Sequence, residues 1–439
     1  MNQPDLNGLK YFIQTFGCQM NENDSEHIAG ILSAAGAAPV EDSSESDLIV
    51  VNTCAVREKS VEKLYSLLGR LSHLKKEKGC LIGVTGCVAQ LYRSDILGKR
   101  PFVDFVIGPH NYWKLPDMLN TRFSEKILAT QWYREWHEIP EIERTKKVSG
   151  FITVMEGCDN FCSYCVVPFT RGREKFRPLP NILSEAAGLA SKGYLEIQLL
   201  GQNVNSYHDP KTGMDFSTLL QEVDSIPGIA WVRFVTSHPK NFGARLADTM
   251  KSSDSICHQL HLPIQAGSDS VLERMNRGYS RADYLETITQ LRDVMPDIAL
   301  STDIIVGFPG ETEEDFQKTL EVLEQVRYTN IFSFRYSPRP LTAASRMDDS
   351  VPFETKKVRL QRVQELQKQI QTEMNRNQVG RVFKVLCQGR SKKDPQVYSG
   401  RNFAHQVINF TSKHECEGQF SDVRITGYGP YSLKGETLD

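Results

Sequence analysis

Residues 155–177 read MEGCDNFCSYCVVPFTRGREKFR, and this stretch decides the fold because a cysteine-rich loop directly follows a short apolar strand. Cys158, Cys162 and Cys165 have the spacing C-x3-C-x2-C. Three thiolates so close can hold three corners of a [4Fe–4S] cube and leave the fourth iron without a protein ligand. Zinc usually takes four ligands from paired motifs, and here the nearest histidine is His137. The spacing therefore favours an iron–sulfur cluster over a zinc site or structural cysteines.

The chain after Phe151 alternates short apolar runs with helical patterns. Six strand candidates follow one another: FITVME, LEIQLLGQNV, WVRFVT, HQLHLPIQ, IALSTDIIVGF and NIFSFRY. Six βα units predict a partial (β/α)6 barrel, whose site lies at the carboxyl ends of the strands. The cysteine loop follows the first strand and therefore belongs to that rim.

The remainder of the chain predicts two further domains of a protein in the α/β class. Residues 1–130 read as a parallel α/β sheet domain, with strands KYFIQTFGC, DLIVVNTC and CLIGVTGC. Residues 131–149 are charged and predict a linker, and residues 150–376 predict the barrel domain with a terminal helix from Thr355 to about Gln378. In residues 377–439, short alternating strands predict a small β-barrel.

Composition places the chain among ordinary globular proteins. It has 439 residues with 40% hydrophobic and 24% charged residues, and neither a secretory signal nor an apolar run of about 20 residues is visible. We therefore expect a soluble, cytoplasmic protein without a membrane partner. The net charge is −2, yet residues 351–439 hold 15 Lys and Arg against 9 Asp and Glu. This basic end indicates either a polyanion partner or a solvated surface.

A second group of cysteines ends three strands of the N-terminal domain. Cys18, Cys54 and Cys87 are far apart in sequence, but the carboxyl ends of parallel strands meet at one edge of a sheet. Convergent thiolates there could hold a second three-point cluster, although three buried, reduced cysteines are the alternative. The remaining cysteines show no such convergence and are assigned to packing: Cys80, Cys257, Cys387 and Cys416.

The C-x3-C-x2-C loop after a first barrel strand resembles the radical S-adenosylmethionine (SAM) superfamily. In that superfamily SAM chelates the open iron of the cluster. The resemblance implies a SAM site among polar residues at the other strand ends, although each could be an ordinary polar group at a barrel rim. These candidates are Gln202, Asn203, Ser237, His238, Gln265, Ser268 and Asp303.

Motifs along nearly the whole chain are similar to the methylthiotransferase family, and most of all to its tRNA-modifying, MiaB-type branch. They are TFGCQMN, NTCAVREK, GVTGCVAQ, the cysteine loop, LLGQNVN, TSHP, HLPIQAGS and DIIVGFPGET. The C-terminal module resembles a TRAM domain, a small RNA-binding barrel. Three positions depart from the family motifs. Ala266 replaces a serine, and Leu341 and Ala343 replace the glycine and proline of a turn.

This resemblance implies a reaction on N6-isopentenyladenosine at position 37 of tRNA, giving its 2-methylthio derivative. It implies two [4Fe–4S] clusters, one on each cysteine group, with one SAM as methyl donor and one as radical source. The partners would be the tRNA anticodon stem-loop, an electron donor such as flavodoxin or ferredoxin, and a sulfur donor. The protein itself is expected to be a monomer.

A basic run just beyond the cysteine loop fits an RNA target. It contains Arg171, Arg173, Lys175 and Arg177, which could bind phosphates or could instead balance the negative charge of a cluster. Phe169 and Phe176 could stack on a base or pack inward.

Other functions are compatible with parts of the pattern. A methylthiotransferase could act on threonylcarbamoyl-adenosine tRNA or on a ribosomal-protein aspartate, although the basic C-terminal region favours RNA. A non-enzymatic iron–sulfur electron-transfer or scaffold protein is a further alternative. Electron carriers usually close their clusters with four ligands, so two groups of three cysteines argue against it.

Overall fold

The computed structural model describes residues 5–120, 126–138, 144 and 148–438. Its N-terminal unit contains six strands: β1 (Lys10–Phe16), β2 (Ala38–Pro39), β3 (Leu48–Thr53), β4 (Leu81–Thr85), β5 (Phe105–Ile107) and β6 (Ile127–Ala129). They form one parallel sheet in the order β2-β1-β3-β4-β5-β6. Five helices accompany the sheet: α1 (Gln19–Ala34), α2 (Glu58–Lys78), α3 (Cys87–Tyr92), α4 (Ser94–Lys99) and α5 (Leu115–Asn120).

The centre of this sheet is buried on both faces. Strand β3 reads LIVVNT and is buried along its whole length, as expected for a parallel strand covered on both sides. Phe16 of β1 pairs with Thr53 of β3, and Asn52 of β3 pairs with Thr85 of β4. The three neighbouring strands therefore end at the same level, so the loops that follow them emerge side by side.

The central unit is built from eight strands: β7 (Ser149–Thr153), β8 (Met155–Glu156), β9 (Lys175–Phe176), β10 (Glu196–Leu200), β11 (Trp231–Phe234), β12 (Gln259–His261), β13 (Ala299–Val306) and β14 (Asn330–Arg335). Two parallel ladders, β11-β10-β7 and β12-β13-β14, are joined by a bridge between Val232 and Ile256. Together they make the six-stranded partial barrel that the βα alternation predicts. Strands β8 and β9 form a separate antiparallel pair that flanks the cysteine loop.

Eight helices surround these strands: α6 (Val167–Thr170), α7 (Leu179–Ser191), α8 (Phe216–Asp224), α9 (Ala244–Lys251), α10 (Asp269–Arg274), α11 (Arg281–Val294), α12 (Glu313–Val326) and α13 (Phe353–Arg376). Helix α13 carries an apolar stripe at helical spacing. Val363 and Ile370 are buried, and Leu366 and Met374 pack against the same core. The helix thereby closes the outer side of β14.

The C-terminal unit is a closed five-stranded barrel. Its strands are β15 (Val382–Arg390), β16 (Tyr398–Asn402), β17 (Val407–Thr411), β18 (Phe420–Tyr428) and β19 (Leu433–Thr437), in the order β15-β16-β17-β19-β18. Arg233 of β11 fixes this barrel to the central unit. Its guanidinium is fully buried, donates to Glu196 at 2.5 Å, and also donates to the carbonyl oxygens of Asn402 and Phe403.

The predicted fold class is confirmed: a parallel sheet domain, a partial barrel and a small β-barrel follow one another. The structure differs in detail. The predicted strand FITVME is divided into β7 and β8 because its last residues pair with β9. In the predicted linker, His137 stacks on Trp113 with ring centroids 4.9 Å apart, whereas residues 139–143 and 145–147 lie outside the described residues. Within the described ranges, no helix is long and apolar enough to cross a membrane.

Candidate functional site

Cys18, Cys54 and Cys87 lie together at the carboxyl edge of the N-terminal sheet. Cys18 caps the start of α1 after β1, Cys54 follows β3, and Cys87 begins α3 after β4. The predicted convergence therefore occurs, because these three strands are adjacent and end at one level. The Cys54 thiol lies within hydrogen-bonding distance of the Cys18 sulfur, and both are close enough to Cys87 for mutual charge repulsion.

The surroundings of these three sulfurs shift their pKa values in different directions. The Cys54 thiol donates a hydrogen bond to the Cys18 sulfur, and backbone N–H groups at the start of α1 donate to it as well. These hydrogen bonds lower the pKa of Cys18 to about 6, although burial acts in the opposite direction. The same hydrogen bond raises the pKa of Cys54, and burial raises that of Cys87. The Val56 N–H donates to the Cys54 sulfur at 3.3 Å. Donors of this kind stabilise thiolate ligands.

Glycine before Cys87 is a steric requirement of this edge. Gly86 has φ of +85°, and a Cβ there would lie 2.3 Å from the Asn52 side chain and 2.8 Å from the Thr53 carbonyl oxygen. Asn52 is itself buried and exchanges hydrogen bonds of 2.9 Å with Asn21. The amide pair therefore ties the start of α1, after Cys18, to the end of β3, before Cys54, and Gly86 lies against this pair.

Cys158, Cys162 and Cys165 form the second group, on the loop between β8 and β9. The Cys158 N–H donates to the Gly172 carbonyl oxygen at 3.1 Å, and the Cys165 N–H donates to that of Cys162 at 3.0 Å. The sulfurs also receive hydrogen bonds. The Asn160 side chain donates to Cys158 and the Val167 N–H donates to Cys165, both at 3.5 Å.

This loop is braced by a turn distant in sequence. Ser163 donates from its N–H to the Met275 carbonyl oxygen at 2.9 Å and from its hydroxyl to that of Arg274 at 2.7 Å. The Ser163 carbonyl oxygen accepts from the Ala344 N–H at 2.7 Å. Arg339, in the same segment as Ala344, donates to the Val56 carbonyl oxygen beside Cys54 at 3.1 Å. The segment that contains the family departures therefore contacts both cysteine loops.

Burial keeps two thiols of the second group, those of Cys158 and Cys165, protonated in the absence of metal. It raises the pKa of Cys158 to about 11 and that of Cys165 to about 12. Metal ions replace such protons when they bind. In the described residues no three His, Cys, Asp or Glu side chains converge on one metal-ion position. A cube does not need that arrangement, because each thiolate binds a different iron.

Four of the seven predicted SAM-contacting residues present polar atoms that are buried without a hydrogen-bond partner among the described residues. These atoms are Asn203 Oδ1, Ser237 Oγ, His238 Nε2 and Gln265 Oε1. They follow β10, β11 and β12, beside the cysteine loop. Buried polar groups are normally satisfied, so a cluster of unsatisfied ones at strand ends fits a polar ligand such as SAM.

The other three candidates already have partners within the protein. Gln202 accepts from the Gly157 N–H at 2.6 Å and so supports the cysteine loop. Ser268, which precedes α10, donates from its hydroxyl to Asp315 on α12. Asp303 lies 3.5 Å from His261, within the barrel. These contacts help to hold the strand ends and the cysteine loop in place.

The predicted RNA-binding run is mostly turned inward, which differs from the sequence expectation. Arg171 is 2% exposed and donates to Asp24 and Glu156, while Lys175 lies 3.0 Å from Glu156. Arg177 is also buried and pairs with Glu138 and Glu185. Arg173 is well exposed and pairs with Asp159 at 2.7 Å. Buried guanidinium groups satisfied by carboxylates cannot reach an RNA phosphate, so Arg173 is the member of the run that faces solvent.

The two phenylalanines of this segment pack inward as well. Phe169 packs against the core of the N-terminal unit, and Phe176 meets Tyr207 edge-on with ring centroids 5.8 Å apart. Of the two roles that the sequence left open for them, the structure shows packing.

Arg171 also joins the two halves of the site. Its guanidinium lies close to Cys87 and Cys18, and its carbonyl oxygen bonds with His110 Nε2 at 3.0 Å. A basic residue from the loop of the second cysteine group therefore stands beside the sulfurs of the first group. Helix α6, which follows that loop, packs against α3, which begins with Cys87. The segments that carry the two cysteine groups are therefore in direct contact across the boundary between the two units.

Sequence reasoning missed Arg277 and two aromatic residues. Arg277 Nη1 lies 3.2 Å from the Cys162 sulfur. Phe332 and Phe334 are 43% and 38% exposed on β14, on the face opposite α13. Phe332 pairs in register with Asp303, so this face is the barrel interior. The sequence NIFSFR already indicated that these two aromatic side chains share a face, because residues two apart in a strand point to the same side.

Comparison with known proteins fits this architecture. Residues 10–108 match the model of the uncharacterized protein family UPF0004, and residues 152–323 match that of the radical SAM superfamily. Among solved structures, the radical SAM methyltransferase TsrM from Kitasatospora setae has a TM-score of 0.57 at 14% identity, covering 77% of this chain and 75% of that one. The cobalamin-dependent radical SAM enzyme OxsB has a TM-score of 0.51 at 11% identity, covering 82% of this chain and 56% of that one.

The fold and the cysteine loop thus place the chain in the class of radical SAM proteins. Curated relatives define the family more closely. The chain is 46% identical over 442 residues to the tRNA-2-methylthio-N(6)-dimethylallyladenosine synthase of Acidovorax sp. (strain JS42), covering 98% of this chain and 97% of the relative. It is also 46% identical over 430 residues to that of Geobacter metallireducens, covering 97% of each. The chain belongs to the tRNA-2-methylthio-N(6)-dimethylallyladenosine synthase family and is an enzyme of the radical SAM class.

Proposed function

We propose that this enzyme converts N6-dimethylallyladenosine at position 37 of tRNA into its 2-methylthio derivative. One observation carries the proposal: two groups of three cysteines lie on segments that contact each other, in a chain that matches synthases of this name over nearly its whole length. The C2 carbon of adenine bears an unactivated C–H bond, and acid–base side chains cannot replace its hydrogen with sulfur. Radical chemistry can make this replacement, and it belongs to a cofactor that the protein positions.

The cysteine groups are assigned as ligands of two [4Fe–4S] clusters, with Cys18, Cys54 and Cys87 holding the auxiliary one. Thiolate sulfur is the donor that these clusters take, and three donors in each group leave one iron open. Cys158, Cys162 and Cys165 would hold the cluster that provides the electron for cleavage of SAM, and Cys18, Cys54 and Cys87 would hold the cluster that presents the sulfur for methylation and transfer.

The residues of the chain itself orient SAM, the second substrate, and exclude water from its site. The unsatisfied atoms of Asn203, Ser237, His238 and Gln265 support a SAM site beside the cysteine loop, where they would bind its amino, carboxylate and ribose groups. Burial, together with the nearby Arg277, lowers the pKa of His238 to about 3, so its ring is neutral at physiological pH. A neutral ring can accept or donate one hydrogen bond without adding charge.

The tRNA base is assigned to the open interior of the partial barrel. Phe332 and Phe334 offer exposed aromatic faces there, and base–aromatic stacking contributes about 1–3 kcal/mol per base. The C-terminal barrel, whose region carries excess positive charge, is proposed to hold the anticodon stem-loop. An external electron donor and a sulfur donor complete the reaction, and we place it in the cytoplasm with its tRNA substrate.

The decisive experiment is a nucleoside analysis. Reconstituted protein is incubated with dithionite, SAM and three tRNA preparations that carry dimethylallylated, threonylcarbamoylated or unmodified A37. Mass spectrometry should find the methylthio group only on the dimethylallylated nucleoside. Modification of the threonylcarbamoyl substrate, or of a ribosomal protein offered in parallel, would reassign the substrate. Failure to release 5′-deoxyadenosine from SAM would remove the radical mechanism.

A further inference from the structure

Arg277 is a buried arginine whose charge is balanced by no carboxylate among the described residues. It is 4% exposed and follows the turn that braces the cysteine loop. Its guanidinium donates to the Pro263 carbonyl oxygen at 2.7 Å, to the Tyr279 hydroxyl at 2.8 Å and to the Cys162 sulfur at 3.2 Å, with the Tyr164 hydroxyl at 3.4 Å. These oxygen partners satisfy N–H groups but carry no charge.

Other buried arginines of the chain are handled differently. Arg171, Arg233 and Arg359 each form an ion pair with a buried carboxylate: Asp24, Glu196 and Glu311, respectively. In the part of the chain that the structure describes, no carboxylate lies within ion-pairing distance of Arg277. A buried cation without an anion is strongly unfavourable. An anion is therefore expected beside it once the site is assembled.

The contact between Arg277 and the Cys162 sulfur identifies the source of the expected negative charge. Three cysteine thiolates around a doubly positive [4Fe–4S] core leave one net negative charge, and one-electron reduction makes it two. We propose that Arg277 is the built-in counter-ion of the cluster on Cys158, Cys162 and Cys165, and that its N–H···S contact raises the reduction potential of that cluster. This inference rests on the proposed function, because it takes these cysteines as cluster ligands.

The physical effect has a definite sign. A fixed positive charge next to a ligand sulfur stabilises the more negative, reduced state more than the oxidised state. Hydrogen bonds to ligand sulfurs act in the same direction. Arg277 thus makes the cluster easier to reduce before SAM is cleaved. It acts through Cys162 and is a positioning residue.

The test compares three full-length variants in a background of Cys18→Ala, Cys54→Ala and Cys87→Ala, so that one cluster is observed. Arg277→Met removes the charge, Arg277→Lys keeps it without the planar fork, and Arg274→Met is the matched control. Arg274 lies on the same turn but is partly exposed and donates to the Gly310 carbonyl oxygen. Iron content is measured first, and the midpoint potential is then determined by EPR without SAM. This excludes any shift caused by the SAM carboxylate.

We expect Arg277→Met to lower the ratio of reduced to oxidised cluster at a fixed potential at least tenfold, about 59 mV for one electron. Arg277→Lys should fall between this variant and the parent, and Arg274→Met should stay within threefold. Loss of iron from Arg277→Met with retention by Arg277→Lys is also the behaviour of a counter-ion. Equal midpoints in Arg277→Met and Arg274→Met, or loss of iron from both Arg277 variants, would overturn the proposal. A wild-type protein that assembles no cluster on these cysteines would instead overturn the proposed function.

Discussion

Ser237→Ala should have opposite effects on stability and on SAM binding. Ser237 is 4% exposed, and no described residue forms a hydrogen bond with its buried hydroxyl. An unsatisfied buried polar group costs about 1–3 kcal/mol in the free protein. Alanine removes that group and leaves a methyl of similar shape. The unliganded variant should therefore be more stable by about 1 kcal/mol, whereas SAM loses a partner and binds about tenfold more weakly.

The measurements are thermal unfolding of the unliganded protein and equilibrium binding of SAM to the reconstituted protein. For a domain of this size, a gain of about 1 kcal/mol raises the melting midpoint by about 2–4 °C. Ser252→Ala is the matched control, because that hydroxyl is satisfied by the Thr249 carbonyl oxygen at 3.0 Å, away from the strand ends. It should slightly destabilise the protein and leave SAM affinity unchanged. If Ser237→Ala destabilised the protein and bound SAM normally, the hydroxyl would have an internal partner and the ligand site would lie elsewhere.

Three further predictions concern Cys18, the segment that contacts both cysteine loops, and the barrel interior. Cys18→Ala should still release 5′-deoxyadenosine from SAM but form no methylthio product; loss of both activities in folded protein that retains the other cluster would contradict separate roles. Leu341 has φ of +69° and is 56% exposed, so Leu341→Gly should relieve left-handed strain and raise the unfolding free energy by up to about 1 kcal/mol in denaturant titrations, an effect that Leu341→Ala should not reproduce. Phe332→Ala should weaken binding of a dimethylallylated anticodon stem-loop by about 1–3 kcal/mol in a fluorescence titration while SAM cleavage persists, and unchanged RNA affinity would exclude stacking on this residue.

Local sequence patterns predicted the strands and helices, because these depend on the spacing of apolar residues along the chain. Apolar runs ending in Gly, Asn or Thr predicted the parallel strands, and the stripe through Val363 and Ile370 predicted the face on which α13 packs. The convergence of Cys18, Cys54 and Cys87 also followed from the sequence. Each cysteine directly follows a strand, and parallel strands bring such positions to one edge.

The direction of charged side chains could not be predicted in the same way. Arg171, Lys175 and Arg177 read as a basic surface run, yet they pair with carboxylates that include two from distant segments, Asp24 on α1 and Glu138. Nothing within the run signals those partners. A buried ion pair forms only where the tertiary fold brings two oppositely charged residues together. The order of charges along the sequence therefore cannot distinguish an RNA-facing arginine from an interior one.

The sequence by itself determined the three-part architecture and the two groups of three cysteines, because strand periodicity and motif spacing are local properties of the chain. Only the tertiary structure decided which polar atoms remain unsatisfied at the strand ends, and that Arg277 reaches the Cys162 sulfur from 115 residues away. Such contacts depend on side-chain packing between elements distant in sequence, and this packing determines where a buried charge or an unpaired oxygen is left for a ligand.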